Sequence, residues 1–243
     1  MDKSGWDEID ALADRIVAVG AAAGLPFVAA QSDIGDPAPM VDRHGRPFAE
    51  RLPWLAADSR YWHDRRLALK ATFVHAARAC AEPIWYADGK MGAWRSTGLL
   101  GTIDAAQVGE QFGFTGAVIV PAHLPRGQVG AVVWVTDRPI DMAATFARHA
   151  ERMFLLGFRF LAAHAEQVAP ARPRNCTPLT AREAQCVRWA AAGKTNAEIG
   201  AILTLSVSTV RFHLRNAAAK LGAATRARMI QAATGQGYLG SYV

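Results

Sequence analysis

The sequence predicts an α+β chain made of two unlike parts, and three observations carry that prediction. Two β-rich runs, TGAVIVPAHL at 115–124 and QVGAVVWVTD at 128–137, are separated by the turn residues Pro125, Arg126 and Gly127, so they should pair as an antiparallel hairpin. A long apolar helical pattern follows from Asp141 to about Gln167. Beyond Pro178 the chain carries helix start signals and no strand pattern.

The chain has 243 residues, enough for two domains with real cores, and 51% of them are hydrophobic, as in a globular protein. Its 27 Lys and Arg against 21 Asp and Glu give a net charge of +6, which suits a polyanionic partner. The excess is concentrated: between Lys194 and Arg228 six basic residues stand against the single acid Glu198. Cys80, Cys176 and Cys186 have neither the even count nor the clustered spacing of a disulfide framework or zinc site, which points to a reducing compartment. The acidic start MDKSGWDEID lacks the apolar stretch of a signal peptide. The richest apolar run, MFLLGFRFLAA from Met153, is short and broken by Arg159. A soluble cytoplasmic protein with no membrane segment is expected.

Taken in order, Ser4 can cap a helix whose Trp6, Ile9, Leu12, Ile16 and Val17 form one apolar stripe, ending before Gly24 and covering a sheet. Leu25 to Gln31 is a plausible strand, and the Gly- and Pro-rich segment from Asp33 to Pro47 is a loop or a hairpin. Residues 48–64 and 67–82 read as two helices, the second closed by Pro83, and IWYADG from Ile84 as a short strand and turn. Ile103 to Phe112 is a short helix ending in Gly113, ahead of the hairpin. Asp141 caps the long helix, whose Phe146, Met153, Phe154, Leu156, Phe158, Phe160 and Leu161 populate more than one face. Such a helix needs a neighbour beyond its own core, and a second copy of the chain supplies one economically. AEQVAPARPRNCTP has three prolines and no apolar periodicity. The organisation is therefore a first domain over 1–164, a linker over 165–178 and a second domain over 179–243.

In the second domain Thr180 precedes Glu183 by three residues and Thr195 precedes Glu198 by three. Each pair is a capping box, so helices begin near 181 and 196. Gly193 ends the first by entering the left-handed region. Ser206 caps a third helix to about Leu221, and a fourth fits Thr225 to Thr234. The short TLS connection between the second and third is what a helix-turn-helix requires. At 100° per residue, Val210, Leu214, Ala217 and Leu221 share the packed stripe of the third helix, while Ser208, Arg211, Phe212 and Arg215 fall opposite. Two arginines one turn apart suit the guanine edges of the major groove, and Phe212 suits a thymine methyl. His213 projects beside the apolar stripe and reads as a packing residue.

LTAREAQCVRW, GKTNAEIGAIL and LSVSTVRFHLRNAAAKL resemble, almost position for position, the DNA-binding domain of the LuxR family of transcription regulators. The resemblance implies a four-helix, all-α helix-turn-helix domain with Arg211, Phe212 and Arg215 facing bases and Lys194, Thr195, Ser208 and Thr209 near phosphates. It also implies a homodimer on an inverted-repeat operator of double-stranded DNA.

EQFGFTGAVIVPAHLPRGQVGAVVWV, RLPWLAADSRY and AEPIWY resemble the autoinducer-binding domain of the same family. This implies an α-β-α sandwich around an antiparallel sheet, with a cavity for an acyl-homoserine lactone or another small-molecule signal and no cofactor. Its walls would include Ala57, Tyr61, Trp62, Lys70, Phe73, Trp85, Gly113 and Val133, with Trp94 and Trp54 nearby. Three of these depart from the family pattern: Lys70 stands where an acidic residue accepts the ligand amide, Ala57 where a tryptophan is usual, and Val133 where a Ser or Thr is usual. A lysine cannot accept that hydrogen bond. Two regulators therefore stay open, one responsive to a signal and one whose pocket is degenerate or binds a non-lactone compound. No G-x-S-x-G elbow, phosphate-binding glycine loop or H-E-x-x-H pair occurs, and His63-Asp64 reads as a solvated helix end, so no enzyme is expected. Nor do alternating β-α units suggest a phosphorelay receiver.

Overall fold

The structure is a computed structural model that describes residues 3–55, 71–95, 98, 100–106, 108–168 and 178–239. The chain divides into two compact units, residues 1–124 with 128–169, and residues 170–243.

The N-terminal unit is an α-β-α sandwich. Among the described residues its sheet has five strands, β1 (Phe27–Gln31), β2 (Ile84–Ala87), β3 (Lys90–Ala93), β4 (Gly116–His123) and β5 (Val129–Thr136), in the order β1-β5-β4-β2-β3. Every neighbouring pair is antiparallel. Helices α1 (Lys3–Ala22) and α4 (Met142–Val168) cover one face, where Ile9, Leu12, Ile16, Met153, Leu156 and Phe160 pack on Val118, Val120, Val132 and Trp134. Helix α2 (Thr72–Ala79) and the short α3 (Val108–Phe112) cover the other, over Ile84, Tyr86, Ala117, Ile119, Val133 and Val135. Because successive side chains alternate faces, β4 and β5 are apolar at nearly every position: both of their faces are buried. Trp134 ties the layers together, its indole N–H donating to the Ile16 carbonyl at 2.7 Å, and a side chain at Gly20 would collide with that indole.

The hairpin pairs Gly116 with Thr136 through to His123 with Val129, and its turn is a 3-10 turn at Pro125–Gly127 closed by Leu124 N–H to Gln128 O at 2.8 Å. Other expectations need correction. The helix expected over 48–64 is a single 3-10 turn at Phe48–Glu50, with residues 51–55 non-helical and the remainder outside the described residues. Pro53 disfavours helix at Leu52, and its carbonyl accepts the Val28 N–H at 2.7 Å beside β1. Of the helix expected over 67–82, residues 67–70 lie outside the described residues; the described part is helical from Thr72 to Ala79, between the extended Ala71 and the extended Cys80. The helix expected from Ile103 shortens to α3, because Asp104 turns the chain by accepting the Ala106 N–H at 3.0 Å. Strand β3 was not foreseen. Asp88 and Gly89, both with positive φ, turn β2 back on itself, which is the Asp-Gly hairpin signal present in IWYADGKMGA. Helix α4 runs to Val168, past residue 165 where the linker was expected to start.

The C-terminal unit is all-α. Helices α5 (Ala181–Ala191), α6 (Asn196–Leu203), α7 (Val207–Lys220) and α8 (Arg226–Gly235) enclose a core of Cys186, Val187, Ala190, Ile199, Val210, Leu214, Ala217, Met229 and Ala233. Both expected capping boxes are formed, at Thr180 with Glu183 and at Thr195 with Glu198. Ser206 and Thr225 cap α7 and α8 by accepting the N–H three residues on. Gly193 carries the left-handed turn after α5, and Thr204 takes the same conformation at the end of α6.

Candidate nucleic-acid interface and apolar cavity

Helix α7 has two chemically distinct faces. Val210 and Ala217 are fully buried and Leu214 nearly so, which fixes the rotation of the helix about its axis. The opposite face therefore presents Ser208, Arg211, Phe212 and Arg215 to solvent, with the large apolar ring of Phe212 50% exposed. Arg215 stacks its guanidinium 5.9 Å from the Phe212 ring centroid, an arrangement that orders both side chains. His213 is half-buried and meets Phe212 edge-on at 5.7 Å. At the start of the helix the Ser206 hydroxyl lies 2.7 Å from those of both Ser208 and Thr209. No acid lies on α7 to neutralise this face.

The turn before α6 adds a second basic edge. Lys194 Nζ stands 3.6 Å from Glu198 Oε1 and is 41% exposed, while Thr195 spends its hydroxyl and its backbone N–H on the Glu198 carboxylate, at 2.8 and 2.7 Å. Those bonds hold the Glu198 carboxyl below the usual carboxylate range. Arg226, at the start of α8, donates to the Lys194 carbonyl and, at 3.0 Å, to Asn196 Oδ1, so a residue that sequence reasoning missed sets the position of this turn. Lys220 was missed too. It ends α7 with its ammonium 2.7 Å from the buried Glu183 carboxylate and 3.2 Å from the Pro178 carbonyl. Burial alone would raise the Glu183 pKa, but the Lys220 ammonium and the Thr180 donors outweigh it and lower the pKa. Glu183 was legible as a capping-box residue. Its partner, 37 positions away, was not.

This arrangement, a helix locked by its apolar stripe with arginines outward and a capped helix crossing before it, coincides with residues 177–233 matching the family described as bacterial regulatory proteins, luxR family. The helix-turn-helix belongs to the luxR family. It is a LuxR-type DNA-binding domain. The chain is 34% identical over 126 residues, 51% of its length and 52% of the relative's, to the transcriptional activator protein VanR of Vibrio anguillarum. It is also 34% identical over 118 residues, 48% of its length and 45% of the relative's, to the quorum sensing-dependent transcriptional regulator RpaR of Rhodopseudomonas palustris. The chain thus spans about half the length of these curated relatives. Among solved structures, SdiA in complex with octanoyl-rac-glycerol superposes with a TM-score of 0.51 at 18% identity, covering 96% of this chain and 91% of that one. That likeness shows that the N-terminal sandwich shares the fold of that protein.

On the α2/α3 side of its sheet the N-terminal unit holds a cavity of about 580 Å³. Its described walls include Trp54, Phe73, Tyr86, Phe112, Phe114 and Val133, so two of the expected wall residues, Phe73 and Val133, are there. Trp85 is not. In β2 it alternates to the α1/α4 face, where it covers Gly92 across the strand pair, and Tyr86 takes the cavity side. The period of two in IWYA was the signal that separates them. Gly113 lies off the wall and has a structural role: with φ of 74° it ends α3. Trp94 is exposed and meets Phe154 edge-on at 5.8 Å. Ala57, Tyr61, Trp62 and Lys70 lie outside the described residues.

The segment leading away from β1 is pinned from two sides. Arg43 bridges Asp7 and Asp10 at 2.6 Å each, and Arg51 bridges Asp10 and Asp14 at 2.6 and 2.7 Å, so the acidic stripe of α1 is consumed in holding this segment. Behind it, buried His164 of α4 contacts the Ser32 hydroxyl through Nδ1 and the Val41 carbonyl through Nε2, both at 3.0 Å. A carbonyl only accepts, so Nε2 carries the proton and Nδ1 accepts from Ser32. Burial holds this imidazole below its usual pKa, against the opposing pull of the Val41 carbonyl.

Proposed function

We propose that the chain is a dimeric transcription regulator that reads an inverted repeat in duplex DNA with α7 in the major groove and responds to a small molecule held in the N-terminal cavity. The observation that carries the reading is the outward face of α7: Arg211, Phe212 and Arg215 are exposed together while Val210, Leu214 and Ala217 lock the helix beneath them. Arg211 and Arg215 then address base edges. Lys194, Thr195, Ser208 and Thr209 address phosphates, Thr195 chiefly by organising the helix start, since its hydroxyl is already engaged. Exposed Leu155 and Phe158 on α4, at 58% and 39%, supply an apolar face for a second copy, extended through half-buried Phe154 toward Trp94. The protein acts in the cytoplasm, and the cavity senses; it does not catalyse.

Selection from a random duplex pool, followed by anisotropy on the selected site and a scrambled one at fixed salt, tests this. Enrichment of a two-fold symmetric site is expected; equal affinity for both duplexes would refute the base-reading role. A second reading, a regulator that occupies DNA without a lactone, is favoured by Val133, which gives the cavity wall a methyl pair in place of a hydroxyl. The lysine at position 70 and the alanine at 57 point the same way. Binding of DNA by protein stripped of small molecules distinguishes the two.

A further inference from the structure

We infer that Phe212 and Arg215 act as one reading unit, which selects a guanine beside a base pair carrying a pyrimidine 5-methyl group, in thymine or in 5-methylcytosine. The inference rests on the proposed placement of α7 in the major groove. It adds to that placement a base step and a response to cytosine methylation. Phe212 is 50% exposed, and its ring meets half-buried His213 edge-on at 5.7 Å and the Arg215 guanidinium at 5.9 Å. Among the described residues nothing takes a hydrogen bond from Arg215 or pairs with its charge, and α7 carries no acid.

A cation–π contact holds a guanidinium by its flat face and consumes none of its N–H donors. Arg215 is thus ordered with its fork free, and the acceptor pair that fits a free fork in the major groove is O6 with N7 of guanine. The Phe212 ring has no donor or acceptor to offer a phosphate or a polar base edge. What it can bury against is the apolar group of the major groove, the pyrimidine 5-methyl. Ring and guanidinium stand 5.9 Å apart, less than two base steps of about 3.4 Å, so a fork seated on guanine leaves the ring over a neighbouring pair. Arg211, without a ring contact among the described residues, lacks this coupling.

Anisotropy of the full-length protein at fixed salt, on the selected site with single bases altered, tests this. 7-Deazaguanine, scanned through a half-site, locates the guanine that the fork holds: the substitution there should weaken wild type and leave Arg215→Ala unaffected. Each flanking pair contains one pyrimidine, whose methyl can be changed alone. At one of the two, thymine to uracil should weaken wild-type binding about fourfold, the worth of one buried methyl, and cytosine to 5-methylcytosine should strengthen it by the same factor. Phe212→Ala should erase this methyl effect and shrink the 7-deazaguanine penalty, since the guanidinium loses its support. Because each comparison is made within one protein, it does not depend on equal stability. A selected site indifferent to the methyl at both flanking pairs, or a methyl effect that survives Phe212→Ala, would overturn the reading unit while leaving α7 the reading helix. A 7-deazaguanine profile unchanged by Arg215→Ala would overturn the assignment of guanine to Arg215. Equal wild-type affinity for selected and scrambled duplexes would sink the placement of α7 and this inference with it.

Discussion

At the scale of residues, the side chains that read and the side chains that hold are separable by experiment. Arg211→Ala and Arg215→Ala each remove an exposed guanidinium proposed to face bases, and each should cost roughly 1 to 3 kcal/mol on the selected site, with little loss on scrambled duplex. Lys194→Ala should weaken both duplexes alike and flatten the salt dependence, because a phosphate contact carries no sequence. Parallel anisotropy series at two salt concentrations show which pattern each variant follows. Lys220 is different in kind. Its removal leaves the Glu183 carboxylate buried without its cation, so Lys220→Met should destabilise the DNA-binding domain by about 3 kcal/mol. Since Glu183 titrates below its ordinary 4.5 in the folded chain, that stability is present above pH 4.5 and is lost as the pH falls through the lowered folded value. Thermal melts should show the acid loss in wild type and its reduction in Lys220→Met.

At the scale of elements, what could be read from sequence divides along physical lines. Capping boxes are local: Thr180 with Glu183 and Thr195 with Glu198 announce their helices within four residues, and both helices stand where those residues place them. The hairpin was equally legible, since β4 and β5 are continuous apolar runs around one turn. Legibility failed where a backbone signal competed with apolar pattern. Pro53 and the extended Ala71 break segments that read as helices, and Asp88-Gly89 made a hairpin of what read as one strand. Trp85 and Tyr86 were both visible, but only the strand register says which of them meets the cavity. Long-range partners left no local trace: nothing near His164 in sequence announces Ser32 or Val41. That pairing makes the N-terminal unit sensitive to pH. Below about 6.5 the unfolded chain takes up a proton that the buried imidazole resists, so stability is full above that value and declines as the pH falls toward the lowered folded value. The melting temperature of this unit should drop between pH 7 and 5.5, and His164→Gln should flatten that slope; an unchanged slope in the variant would assign the effect elsewhere.

At the scale of the whole molecule, the proposed reading has one α7 in one groove, which contacts too few base pairs for specificity, so on that reading specific recognition requires two paired chains. The apolar face of α4 is suited to that pairing. The exposed positions Glu151 and Arg159 carry opposite charge about one turn to either side of Leu155, so two such helices laid antiparallel about Leu155 would set each acid against a base. Arg159 already reaches Glu8 at 2.8 Å within the chain, at a site nearly half exposed where such an exchange costs little. Leu155→Arg places a cation at the centre of this face without touching the core, since Leu155 is 58% exposed. The variant should retain the wild-type melting profile of its own fold, scatter light as a monomer at micromolar concentration, and bind the symmetric site at least about a hundredfold more weakly, the loss expected when two half-sites are no longer engaged together. Its affinity for a single isolated half-site should be unchanged. A dimeric Leu155→Arg protein with full operator affinity would place the dimer interface on another surface, and a monomeric one that still binds the full site as tightly as wild type would mean that specificity does not require the pair.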